Sequence, residues 1–239
     1  MKQTFTEKLQ RDWVPSYLLR DKIDLDPSCV LYLPFYKYGG EQQKIWDISG
    51  NNNHGTIYGA APGTLGWSFD GVDDKITVID STSLRLTSQG TVLLWTRSNF
   101  SNAGFEILLT KGIWDTNNYT VYHSPTNMCY DIGWGGSGTT YTAAVIPLPS
   151  IPKDQWILLS FSWTTGDTVL GYLNGVFVSQ SGTVASSPDT TGKDFIVGMG
   201  DGGGQIYKGN IGEVLIFNRA LSAIEVRNYY ELTRCRYGV

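Results

Sequence analysis

The run Trp156–Trp163 places Ile157, Leu159, Phe161 and Trp163 at every second position. A period of two is that of a β-strand with one face turned to a core. Shortly after it, Val169–Leu173 and Val176–Ser179 flank Asn174–Gly175. Asn-Gly supplies the two positive φ angles of a type I′ turn, so this stretch reads as a hairpin. Similar short runs recur at Val30–Phe35, Lys75–Ile79, Val92–Thr96, Glu106–Thr110, Phe195–Val197 and Ile211–Phe217, separated by Gly, Asp and Asn. Many short strands punctuated by turns predict an all-β sandwich of antiparallel sheets. The 239 residues suit one large β domain, and no internal repeat or interdomain linker divides them.

The two ends differ from this pattern. Ser222, with Glu225 three residues on, predicts a capping box opening a short helix. Ile224, Val226 and Tyr229 or Tyr230 are expected to pack that helix on the sandwich edge. Residues 1–28 read as an N-terminal arm ahead of a domain at 29–239. Within the arm Phe5, Leu9 and Trp13 form one helical stripe that stops at Pro15. Such a stripe needs cover, either from this sandwich as a folded-back strap or from a partner as an assembly arm.

Composition narrows the partners. Hydrophobic residues at 41% against 17% charged allow a large core. A net charge of −4 and a pI near 5.1, with no basic cluster beyond Arg234 and Arg236, argue against nucleic acid or an anionic membrane. No apolar run reaches the ~20 residues of a spanning helix. Cys29, Cys129 and Cys235 follow neither a metal nor a disulfide pattern. They read as free thiols, with one bridge from Cys235 to Cys29 or Cys129 as the alternative. Met1–Arg20 holds no apolar leader segment, so either a leader has been removed or the protein is made in a cytosol and, acting outside cells, leaves by assembly into a particle.

Three motifs carry more. They are Phe69-Asp70-Gly71-Val72-Asp73-Asp74-Lys75-Ile76, Asp47-Ile48-Ser49-Gly50-Asn51-Asn52-Asn53-His54-Gly55-Thr56, and Gly212-Glu213-Val214-Leu215-Ile216-Phe217-Asn218-Arg219-Ala220-Leu221-Ser222. Together they resemble the laminin-G-like branch of the concanavalin A-like lectin/glucanase superfamily, from about Val30 to Leu232. The resemblance implies a concanavalin A-like jelly roll whose usual work is binding. Asp24–Phe35 is also similar to laminin-G-like proteins of phage-derived character. On that basis the expected role is a surface or decoration protein of a virion, outside the cell. Its partners would be carbohydrate or other particle subunits, in a homo-oligomer or larger assembly. A free carbohydrate-binding module is the alternative.

Several residues are candidates for chemistry. Asp47, Asn51 and Asn53 offer the oxygen ligands that calcium requires. The resemblance adds Glu213 and makes calcium a candidate cofactor, although Gly212 stands where relatives carry an Asp ligand. Asp70, Asp73 and Asp74 could hold a cation, but their Asp/Gly composition reads first as a tight turn. His54 and His123 have no zinc spacing and read as structural hydrogen-bonding groups. Between 112 and 141, Trp114, Tyr119, Tyr122, Tyr130, Trp134 and Tyr141 are interspersed with Asn117, Asn118 and Asp131. Flat aromatics and amides suit a glycan or protein contact surface. Trp114 and Trp134 are the foremost candidates, while strand alternation would turn half of these rings inward. Glycanases of the fold carry Glu-x-Asp-x-x-Glu on one strand, which this chain lacks, so no enzyme is expected.

Overall fold

Two eight-stranded antiparallel sheets lie face to face. The computed structural model describes residues 26–36, 43–100, 104–113, 117–134 and 141–239. With strands numbered in chain order, sheet I runs β14 (Val176–Thr183), β13 (Thr168–Leu173), β12 (Ile157–Thr164), β7 (Gln89–Arg97), β16 (Lys208–Phe217), β5 (Trp67–Asp70) and β4 (Ala61–Pro62). Its eighth strand, β1 (Cys29–Leu33), pairs with the second half of β16. Sheet II runs β11 (Tyr141–Pro147), β10 (Asn127–Gly133), β9 (Asn117–His123), β8 (Glu106–Ile113), β15 (Phe195–Val197), β6 (Lys75–Val78), β3 (Gly55–Tyr58) and β2 (Lys44–Ile45).

Alternation builds the core. Ile157, Leu159, Phe161 and Trp163 of β12 meet Tyr119, Val121, Tyr130 and Ile132 of sheet II in one continuous cluster. Tyr130 and Phe161 stack with ring centroids 5.0 Å apart. Burying a large apolar side chain contributes about 1.5–3 kcal/mol, so the paired inner faces dominate stability. The predicted hairpin is present. Asn174 and Gly175 take φ of 51° and 75°, and Leu173 pairs with Val176. The turn reading of 69–76 also holds, because the Asp74 carboxylate accepts from Asp70 N–H and Asp70 accepts from Val72 N–H.

The terminal helix differs from expectation in length and place. Helix α1 (Ala223–Tyr237) has 15 residues and the predicted Ser222–Glu225 capping box. It covers the outer face of sheet I, not its edge. Leu93, Trp95, Leu158, Leu215 and Phe217 face outward from that sheet and pack on Val226, Tyr229 and Tyr237. Trp95 stacks on Tyr237 at 4.3 Å and donates from Nε1 to Thr233 Oγ1 at 3.0 Å. Ile224, expected to pack inward, is 71% exposed, because it falls on the solvent side of the helix.

Three polar groups lock the frame. Glu213, wholly buried beneath α1, accepts from Tyr32 Oη at 2.8 Å and from Arg236 Nη1 at 3.1 and 3.2 Å. Burial raises the Glu213 carboxyl even so, against the pull of Arg236 and Tyr32. At one end of the sandwich the fully buried Lys111 reaches Asp80 at 2.6 Å. Arg85 on the same carboxylate, with Lys111 beside it, holds Asp80 well below the usual range. All three cysteines are free, with Cys29 and Cys129 buried and Cys235 exposed.

Candidate functional site

The outer face of sheet II changes character from edge to centre. One registered row crosses it through Lys44, Thr56, Thr77, Ile196, Thr110, Thr120, Asp131 and Ala143. Thr56 is exposed and Thr77 half-buried, Thr110, Thr120 and Asp131 are fully buried, and Ala143 is half-buried again. The surface is therefore open at its two edges, along β11 and on the β2–β3–β6 side, and the second of these carries the larger set of exposed rings and donors.

Local anchoring forces aromatic rings outward there. Ile45 is fully buried and Asp47 is 7% exposed, so Trp46 between them points to solvent at 43% exposure. In β3, Gly55 and Ile57 face the core while Thr56 and Tyr58 face out, with Tyr58 at 49% exposure. Lys44 Nζ lies 4.4 Å from the Trp46 ring centroid and Lys75 Nζ 5.4 Å from that of Tyr58. His54 meets Trp46 edge-on at 4.7 Å. His54 Nδ1 accepts from Asp47 N–H at 3.1 Å, which fixes the imidazole proton on Nε2 as a donor beside the indole. The strip thus offers two flat apolar faces, two ammonium groups and an imidazole donor. None of these five side chains is a carboxylate.

This strip was missed in the sequence. The available signal was the alternation Lys44-x-Trp46 and Thr56-x-Tyr58 on either side of the Asn-rich loop, hidden because β2 is only two residues long.

The predicted aromatic surface at 112–141 is largely overturned. That stretch forms β9, β10 and the start of β11, so alternation sends Tyr119 and Tyr130 into the core, fully buried. Tyr119 Oη is spent on Leu84 C=O at 2.9 Å. Asn118 and Asp131 face the other way but are also fully buried, and Tyr122 is 8% exposed. Trp134 is half-buried and packs against the core cluster. Asn117 is half-buried, and Tyr141, at 45% exposure, is the one ring of the group presented openly among the described residues. Trp114 and the arm residues Phe5, Leu9 and Trp13 lie outside the described residues.

The expected calcium ligands Asp47 and Glu213 are both bonded to Tyr32, one at its backbone N–H and the other at its hydroxyl, and the chemistry of the set does not fit a metal. Asp47 Oδ1 accepts from the N–H groups of Tyr32 and Ser49, and Oδ2 from Ser49 Oγ and Asn53 N–H, all at 2.9 Å. Four donors fill the lone pairs of that carboxylate. Asn53 spends its amide on Val30 C=O, Ser83 and Ser81, and Asn51 donates to Cys29 C=O and Ser49. Glu213 is held by Arg236, a cation the chain supplies itself. Gly212 has a structural cause, since a Cβ there would overlap the Tyr237 ring. The Asn-rich loop is a brace that ties β1 to the rest of the sandwich. The Asp70, Asp73 and Asp74 oxygens lie within 4.8 Å of one another, with Asp70 and Asp74 engaged in turn hydrogen bonds and the Asp74 carboxyl raised by burial. His54 acts as the expected structural acceptor. His123 does not, being fully buried with neither ring nitrogen hydrogen-bonded and Glu106 at 3.6 Å.

A helix-backed jelly roll with an aromatic strip open on its second sheet defines a lectin-like domain. Residues 70–227 match the laminin-G family model described as the concanavalin A-like lectin/glucanases superfamily, and the chain belongs to that family. No curated protein matches the chain in sequence. Similar solved structures include the receptor-binding domain of botulinum neurotoxin C/D mosaic serotype (TM-score 0.68, 15% identity, 85% of this chain and 51% of that one). Another is the ligand-binding domain of botulinum neurotoxin serotype D in complex with N-acetylneuraminic acid (TM-score 0.66, 14% identity, 86% and 51%). A third is the binding domain of botulinum neurotoxin DC in complex with rat synaptotagmin II (TM-score 0.62, 12% identity, 85% and 51%). The chain spans about half the length of these structures, and identities this low show a shared fold alone.

Proposed function

We propose that this protein is a non-catalytic recognition domain that binds an acidic carbohydrate along the Trp46–His54–Tyr58 strip. The observation that carries the reading is the pair of solvent-facing rings, Trp46 and Tyr58, each with a lysine ammonium beside it. Sugar rings stack their C–H faces on flat aromatics, and a few placed donors then fix orientation. Lys44, Lys75 and His54 Nε2 are donors suited to a sugar carboxylate. Structures of the same fold in complex with N-acetylneuraminic acid or with rat synaptotagmin II support the reading by analogy. The five side chains named in the strip include no carboxylate, whereas glycoside hydrolysis uses two.

Titration calorimetry with sialylated and neutral oligosaccharides tests this. Saturable binding of the acidic sugar, weakened at least tenfold in Trp46→Ala with the fold retained, is the expected result. Binding that ignores Trp46→Ala, binding of a protein receptor only, or release of free sugar would each refute it. Placement on a virion or similar particle rests on the likeness of Asp24–Phe35 to phage-derived proteins. A monomeric native mass for the full chain at micromolar concentration would count against it.

A further inference from the structure

The two ends of the Trp46–Tyr58 strip differ in charge. Ile45, Gly55 and Val78 stand in register across β2, β3 and β6, so the next row outward is Trp46, His54 and Ile79. The Trp46–His54 ring contact agrees with this row, and Ile79 extends it at 76% exposure. The carboxylates flanking the row are engaged within the protein. Asp47 is saturated by four donors, Asp80 is paired with Arg85 and Lys111, and Asp194 accepts from the Asp80 N–H. What this end presents to a ligand is the Lys44 ammonium and the His54 Nε2 donor.

The Tyr58 end is the reverse. Tyr58 pairs with Lys75, and the next residue, Gly59, lies so close to Asp74 that a Cβ on it would strike that carboxylate. The Asp70 and Asp73 oxygens are within 4.8 Å of those of Asp74, and both residues are exposed. Among the described residues neither forms an ion pair. Their charge is felt locally, since after burial, the main cause, Asp70 and Asp73 help to raise the Asp74 carboxyl. Lys75 and Lys208, whose stem lies against Gly71, face three carboxylates here.

We propose that the strip reads an oligosaccharide in one direction, seating a terminal acidic sugar on Trp46 and a neutral, hydroxyl-rich sugar on Tyr58. This rests on the carbohydrate-binding reading above and narrows its ligand to a chain with its acid at one end. Geometry sets the length. From the Trp46–His54 row to Tyr58 is four residues along the strands and one strand across, about 14 Å at ~3.4 Å per residue and ~4.8 Å per strand. A single sugar stacked on one ring cannot also cover the other, so a further sugar bridges them over Thr56 and Thr77, the pair between. Lys44 and His54 Nε2 donate to the carboxylate of the terminal sugar. At the Tyr58 end a second acid would meet like charge, which penalises that ligand, whereas Asp73 accepts from sugar hydroxyls.

Titration calorimetry on the full chain compares three probes. They are sialic acid alone, sialyllactose with one terminal acid ahead of two neutral sugars, and trisialic acid with an acid on every residue. The parent should bind sialyllactose at least fivefold more tightly than either of the others. Tyr58→Ala should bring sialyllactose to within twofold of sialic acid, whereas Trp46→Ala weakens both. Asp73→Asn should tighten trisialic acid at least threefold, a gain that damage to the fold cannot produce. Equal affinity for sialic acid and sialyllactose, or a preference for trisialic acid, overturns the inference and leaves carbohydrate binding at the strip standing. So does a Tyr58→Ala variant that keeps the full preference, or an Asp73→Asn variant that binds trisialic acid no better than the parent. Binding of none of the three probes removes that reading and this inference with it.

Discussion

Arg236→Ala tests whether the chain supplies its own cation to Glu213. The carboxylate is wholly buried, and its partners are one guanidinium nitrogen at 3.1 and 3.2 Å and one phenol at 2.8 Å. Removing one partner of a buried pair costs about 3–5 kcal/mol because the other charge is stranded. The Arg236 side chain is 27% exposed, so water relieves part of this and the lower end applies. Loss of its stacking on Tyr36, 3.9 Å from the ring centroid, adds about 0.5–1 kcal/mol. The total of about 3–4 kcal/mol corresponds to a fall in Tm of about 6–16 °C for a domain of this size.

The sign of the pH dependence follows from Glu213. Its folded pKa lies above the ordinary 4.5, so its titration favours the folded state below 4.5 and withdraws that support as pH rises through the folded value. Without Arg236 the folded value climbs further. The deficit is then largest near pH 7.5 and shrinks by up to about 1.4 kcal/mol per pH unit on acidification. Urea unfolding followed by tryptophan fluorescence at pH 7.5 and 5.0 measures both, and Glu213→Gln added to Arg236→Ala should recover at least half of the loss. A Tm change under 2 °C, or an equal loss at both pH values, would refute the reasoning.

Gly212→Ala pushes a methyl group into the Tyr237 ring and is expected to destabilise by about 1–3 kcal/mol, seen as a lower urea midpoint. Because the ligand candidates are saturated by protein donors, millimolar calcium should leave the parent's Tm unchanged, and a rise of several degrees would contradict that account. Asp80→Asn strands the buried Lys111 and should cost about 3–5 kcal/mol at pH 7. The native Asp80 carboxyl is depressed, so its contribution is present above the ordinary 3.8 and disappears as pH falls through the lower folded value. The variant's stability should therefore decline less steeply than the parent's in acid unfolding below about pH 4.

Local signals survived because they depend on neighbours in the chain. Asn174–Gly175 needs positive φ at both positions, Ser222 and Glu225 satisfy each other's backbone within one turn, and β12 alternates over eight residues. The sandwich, its terminal helix and the turn at 69–76 were legible for that reason, with the family motifs in support. Strands β9 and β10 were not, since their polar and apolar residues alternate between two faces that are both buried. Composition alone cannot tell such a ring in the core from one on the surface. Tyr119 and Tyr141 look alike in sequence and lie at opposite extremes of exposure.

What the amino-acid sequence determined by itself was the set of strands, their turns and the capped helix, all fixed by contacts within a few residues. Which surface remained open was decided only by tertiary structure. Helix α1 closed over sheet I and brought Arg236 to Glu213 from 23 positions away. Anchoring of Ile45 and Asp47 on either side of Trp46 turned an unremarked indole into one of the two exposed rings of the open strip. Exposure is a property of packed neighbours distant in sequence, and no local pattern encodes it.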